Sequence, residues 1–263
     1  MKRSKITILL AIVLGMTFHS CLDLEPQDQL GGKNMWTSVN DYKQFANTFY
    51  SWTRDFSSVV YDGTHSDKRS DLITYQSYNE FSRGINSIPS SDANYTDNYK
   101  HIRRTNLLLQ NAEAYAKPED IKQYIGEAYF FRAYSYFDLL QLYGDVIITK
   151  KPLDITDPEM KVKRNDRSEV VDLIIDDLNH AVENLPAFKE LTTEEEGRIS
   201  KEGAQAFLSR VALYEGTWQK SRNGNQNTQR SANLLDIAAK AARTVIDAKY
   251  GYTFRLFGTD SET

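Results

Sequence analysis

The groups with which this 263-residue chain could do chemistry are few: one cysteine, four histidines and scattered carboxylates. His65, His101 and His180 lie far apart, and His19 sits in an apolar leader, so no spacing supports a metal centre. Asp176-Asp177 and Glu194-Glu195-Glu196 place acids side by side. Glycoside hydrolysis instead needs two acids flanking the sugar bond at a set separation, and adjacent acids read as a solvated face. Walker, G-x-G-x-x-G, G-x-S-x-G and H-E-x-x-H patterns are missing from the sequence, so neither cofactor nor metal is expected. What the chain has in excess is rings: 16 Tyr, 12 Phe and 3 Trp. Trp52, Tyr61, Tyr75 and Tyr78 fall in an aperiodic polar stretch, residues 51–78, together with Asp62, Asp67, Arg69 and Asp71. Flat rings can cover the apolar faces of sugar units, while Asp67, Arg69 and Asp71 could pair with hydroxyls at the edge. The plainer role, in which one or two of these rings pin the loop to its neighbours, stays open.

The lone cysteine excludes a disulfide framework and has to be explained by position. Lys2, Arg3 and Lys5 precede an apolar run over residues 6–18, the pattern of an export signal, and the run is shorter than the roughly 20 residues of a spanning helix. Cys21 follows Phe18-His19-Ser20 and resembles the acylated cysteine of a bacterial lipobox, although Phe18 and His19 depart from the usual Leu-Ala-Gly type. Residues 1–20 are expected to be a lipoprotein signal peptide. Residues 21–34, with Pro26 and Gly31-Gly32 and no periodicity, are expected to form a lipidated tether. The balance of 32 basic against 36 acidic side chains, without basic runs, argues against a nucleic-acid partner.

The elements that must position these groups are helices. Ser38 with Asp41 marks a helix start, and Val39, Tyr42, Phe45, Ala46 and Phe49 recur at helical spacing. Further stripes are Tyr99, Ile102, Asn106, Leu109, Ala112, then Ile121, Ile125, Ala128, Phe131, Ser135, Leu139, Leu142, opened by Pro118 and stopped by Gly144. Asp166 and Glu169 make a capping-box spacing ahead of Val171, Ile174, Leu178, Ala181 and Leu185, closed by Pro186. A helix from Ser200 carries Ala204, Phe207, Val211, Tyr214 and Trp218 as its apolar face. After a polar loop, Leu234, Ala238, Ala241, Val245 and Ala248 form a last segment that Gly251 ends. Strand patterns are scarce apart from residues 146–149, so the fold class is all-α. Irregular tetratricopeptide-like repeats and a simple bundle both fit, since no strict repeat of about 34 residues is visible.

The run Glu127-Ala128-Tyr129-Phe130-Phe131-Arg132-Ala133-Tyr134, then Phe137, Leu139 and Tyr143-Gly144-Asp145-Val146, resembles the most characteristic motif of the SusD/RagB family of Bacteroidetes lipoproteins. Arg104-Thr105-Asn106, Asp177-Leu178, Leu185-Pro186, Gly197-Arg198 and the run from Ala204 to Trp218 echo it in family order. Ile147 stands where the family usually has proline. Arg132 and Asp145 read as structural within the motif. The resemblance implies a SusD-like helical domain over residues 35–263, lipid-anchored at the outer membrane by Cys21. It also implies capture of an oligosaccharide and its delivery to a SusC-like TonB-dependent transporter. Family members run to roughly twice this length, so the chain is expected to be an N-terminal part. A helical scaffold that docks the transporter without binding sugar is a second reading. A glycan-acting enzyme stands last.

Overall fold

Ser38 and Asp41 cap each other: the Asp41 carboxylate accepts from the Ser38 N–H at 2.8 Å, and the Ser38 hydroxyl accepts from the Asp41 N–H at 3.3 Å. They start α1, Val39–Asn47, which tightens into a 3-10 turn, Thr48–Trp52. The computed structural model describes residues 35–54, 80, 82–222 and 228–253, and those from Trp36 onward belong to one unit. Five further α-helices follow: α2 Ala93–Glu113, α3 Lys122–Tyr143, α4 Arg167–Asn184, α5 Lys201–Arg222 and α6 Thr228–Ile246. Each of α2 to α6 packs on the next in chain order, the stacking of a tetratricopeptide-like array. Among the described residues the only β pairing is a single bridge, Val146 to Asn165. None of the described helices is long and apolar enough to cross a membrane.

Local chemistry sets the ends. Glu169 accepts from the Asp166 N–H at 3.1 Å, half of the expected capping box of α4. Ser200 accepts from the Gly203 N–H at 3.3 Å at the start of α5. Gly144 ends α3 at φ 73°, ψ −105°, a conformation that a Cβ would disfavour. The last segment stops earlier than its stripe suggests, at Ile246. There Ala248 takes φ 50°, the Ala248 N–H donates to Val245 O at 3.1 Å, and the Lys249 N–H donates to Thr244 O at 3.1 Å. This is a Schellman closure with alanine where glycine is usual. Ala248→Gly should therefore stabilise the chain by about 0.5–1 kcal/mol, read as a higher urea midpoint at unchanged m-value.

α3 is the axis of the domain. Tyr124, Gly126, Phe130, Phe131, Tyr136, Phe137 and Leu140 are buried around its circumference because α2, α4 and the α1 segment all pack on it. At Gly126 a Cβ would come within 3.0 Å of the Leu185 backbone, so glycine permits the close approach of the end of α4. Polar groups inside are matched in forks. Arg132 donates to both Asp177 oxygens at 2.8 and 2.6 Å and to Asn106 at 2.8 Å. Arg198 donates to both Glu127 oxygens at 2.8 and 2.7 Å and to Asn47. Burial holds the Asp177 and Glu127 carboxyls above the usual carboxylate range, against the opposing pull of the facing guanidiniums. The two-bond geometry keeps both pairs ionic.

Most of the family-like motif on α3 is thus built into the interior. Asn106 also donates to Thr149 O at 3.0 Å, and Tyr136 both accepts from the Thr149 N–H at 2.8 Å and donates to Thr149 O at 3.2 Å. Asp145 accepts from the Arg167 N–H at 2.9 Å. The turn after Gly144 is fixed through the Ile147 carbonyl, which accepts from Tyr99, and the Ile148 N–H, which donates to Asn165. A proline at 147 would leave both bonds in place, which accounts for the tolerance of Ile147 there.

Candidate functional site

The segment from Thr48 to Arg54 leads off α1 across the α2 and α3 surface, held by rings. Phe131 meets Phe49 at 5.7 Å, Tyr50 at 4.9 Å and Trp52 at 5.9 Å between centroids. Trp52 stacks on His101 at 4.1 Å with 14° between planes, so one face of this ring is already covered. Of the sequence-predicted sugar-binding residues, Trp52 is the one the described structure contains, and there it anchors the entrance to the loop. Tyr61, Asp67, Arg69, Asp71, Tyr75 and Tyr78, like Cys21, lie outside the described residues.

The Trp52 stack has a pH signature. Burial, reinforced by Arg104 and Lys100 and opposed by Asp97, pulls His101 down to about 4. A base whose folded pKa is below its unfolded value of about 6.5 contributes stability that is complete above pH 6.5 and is lost as the pH falls toward 4, because the unfolded chain takes the proton first. The urea midpoint should fall between pH 7 and pH 5. His101→Phe should flatten that part of the profile.

Arg54, two residues beyond Trp52, reaches a cleft of about 410 Å³ between α3 and α5. Its walls are Tyr134, Phe137 and Phe207, with Phe207 lying 5.7 Å from Tyr134 at 33° and 5.6 Å from Phe137 at 90°. Asp138, 8% exposed, lies among the lining residues, paired with Arg54 and accepting from the Asn98 amide at 2.7 Å. Gln141 and Arg210 complete the lining. The partly exposed rings of Tyr134 and Phe207 beside amide, carboxylate and guanidinium groups can take a ligand with apolar faces and a hydroxylated edge. The lining holds one carboxylate, and among the described residues no group of three or more His, Cys, Asp or Glu could hold a metal ion.

Sequence spacing missed this cleft. Phe207, Tyr214 and Trp218 read as the apolar face of α5, yet all three are only half-buried, while Leu208, Ala212, Glu215 and Gln219 are the buried positions beside Ala204 and Val211. The available signal was Arg210 one turn from Phe207 on the same helix face. Two other cavities, of about 590 and 620 Å³, lie beside Trp218 and Arg167 and between α4 and α6.

The stacked helices with their buried forks define an all-α, tetratricopeptide-like scaffold. Residues 22–213 match the SusD-like family described as starch-binding associating with outer membrane, and the chain belongs to that family. SusD-like protein P38 of Formosa agariphila is 28% identical over 233 residues, covering 81% of this chain and 42% of that protein. A SusD-like protein of Bacteroides ovatus is 29% identical over 123 residues, covering 47% of this chain and 20% of its own length. Among solved structures, a SusD-like protein from Bacteroides fragilis superposes with a TM-score of 0.61 at 25% identity, over 82% of this chain and 41% of that one. A laminarin-binding SusD-like protein gives 0.52 at 27%, over 66% and 35%. The chain spans less than half the length of these relatives.

Proposed function

We propose that this chain serves as a non-catalytic glycan-binding lipoprotein of the outer membrane, which captures oligosaccharide and passes it to a SusC-like TonB-dependent transporter. The observation that carries the binding step is the ring-walled cleft, in a chain of a family described as starch-binding. The laminarin-binding neighbour supports the ligand class. Trp52 is held against His101 and Phe131, and Tyr61, Asp67, Arg69, Asp71, Tyr75 and Tyr78 remain the proposed glycan contacts of the segment that follows it. Among the described lining residues there is one carboxylate, tied to Arg54 and Asn98, and these residues do not supply the acid pair of a glycosidase.

Isothermal titration of the chain against a polysaccharide panel tests this directly, with Trp52→Ala and Tyr61→Ala measured separately after circular dichroism confirms unchanged helicity. Binding that weakens in either variant is expected. Unaltered affinity in both would remove the 51–78 segment from the site. Absence of binding to every glycan would favour the docking scaffold, and release of reducing sugar would reveal an enzyme. The anchor is tested by Cys21→Ala and cell fractionation, with loss from the outer-membrane fraction expected; equal retention would contradict lipidation at Cys21.

A further inference from the structure

Among the described residues, the lining of the cleft carries more positive than negative charge. Arg54 and Arg210 both line it, against the one carboxylate of Asp138. That carboxylate is committed, since one oxygen pairs with Arg54 and the other accepts from Asn98. Arg210 is exposed and has neither an ion-pair nor a hydrogen-bond partner among the described residues. Its own helix offers it none: Ala206, Phe207, Leu213 and Tyr214 occupy the positions three and four residues away, where an acid would ordinarily sit. The interior arginines behave otherwise, with Arg132, Arg167 and Arg198 each forked onto a carboxylate. Arg210 is close enough to Arg54 to repel it, adding to the burial that holds Arg54 below the usual guanidinium range. Like charges converging on a ring-lined cleft repel each other until an anion arrives.

Resting on the carbohydrate-binding reading above, the geometry points to a glycan that carries anionic sugar units, a uronate carboxylate or a sulfate ester, with Arg210 as the group that meets the anion. Arg54 stays on Asp138, and Tyr134 and Phe207 face the ring of the sugar. A guanidinium fork suits either anion, because both present two oxygens to two parallel N–H groups. Lys in its place would keep the charge and lose the fork.

The test titrates the chain with four probes: trigalacturonate, a sulfated carrageenan tetrasaccharide, maltoheptaose and laminarihexaose, each at 50 and 200 mM NaCl. The two anionic arms separate carboxylate from sulfate. At least one should bind about tenfold more tightly than either neutral probe at 50 mM salt, and that margin should narrow at 200 mM. Arg210→Gln should abolish the margin, and Arg210→Lys should restore part of it. Equal affinity for neutral and anionic probes, or a margin that survives in Arg210→Gln, overturns the inference while leaving carbohydrate binding intact. Failure to bind any probe overturns both.

Discussion

Asp177→Ala should cost the domain about 3–5 kcal/mol, because it strands a guanidinium that is 6% exposed. Arg132 would keep its bond to Asn106 and the face of Tyr129 at 5.3 Å, neither of which replaces a charge. Against a typical domain stability of about 5–15 kcal/mol, that loss leaves a substantial unfolded or aggregated fraction. Removing both charges at once should hurt less than removing one. Arg132→Met with Asp177→Leu is expected to recover most of the stability, since two apolar side chains leave no unpaired charge. Urea unfolding of the three variants checks this. A double variant no more stable than Asp177→Ala would show that the pair is needed for more than mutual neutralisation.

Phe131→Ala should cost a similar amount, about 3–5 kcal/mol, by emptying the position on which the α1 segment rests. Phe131 is 1% exposed and in ring contact with Phe49, Tyr50, Trp52, Phe130 and Tyr134. Its loss should also be felt locally. Hydrogen exchange is expected to accelerate over residues 48–52 more than over α4, because three of the rings on Phe131 belong to the 3-10 turn that follows α1, while α4 keeps its own packing on α3 and α5. Uniform acceleration across all helices would contradict the role of Phe131 as the anchor of that segment.

Local chemistry in the sequence was enough to place most elements. Ser38 with Asp41, Asp166 with Glu169, and Gly144 each act within one turn of themselves, so they read correctly without tertiary knowledge. The stripe of α4 was legible for the same reason: Val171, Ile174, Leu178 and Ala181 face one core. α3 was less so, because a helix packed on several sides has no single face for a periodicity to mark. The forks were out of reach. Arg132 and Asp177 stand 45 residues apart and Arg198 and Glu127 stand 71 apart, separations that no local rule covers. The cleft was hidden differently: Tyr134, Phe137 and Phe207 have the composition of a core, and only the placement of α5 beside α3 leaves Tyr134 and Phe207 partly exposed.

The proposed sugar-binding site is the cleft between α3 and α5. Tyr134 tests it most directly, because the ring is half-exposed and lines the cleft, so its removal should alter the ligand surface more than the core. Titration of the tightest-binding oligosaccharide into wild type and Tyr134→Ala, both confirmed folded by circular dichroism, should show a loss of about 1–2 kcal/mol in binding, roughly ten- to thirtyfold in Kd. Wild-type affinity in Tyr134→Ala would contradict the assignment.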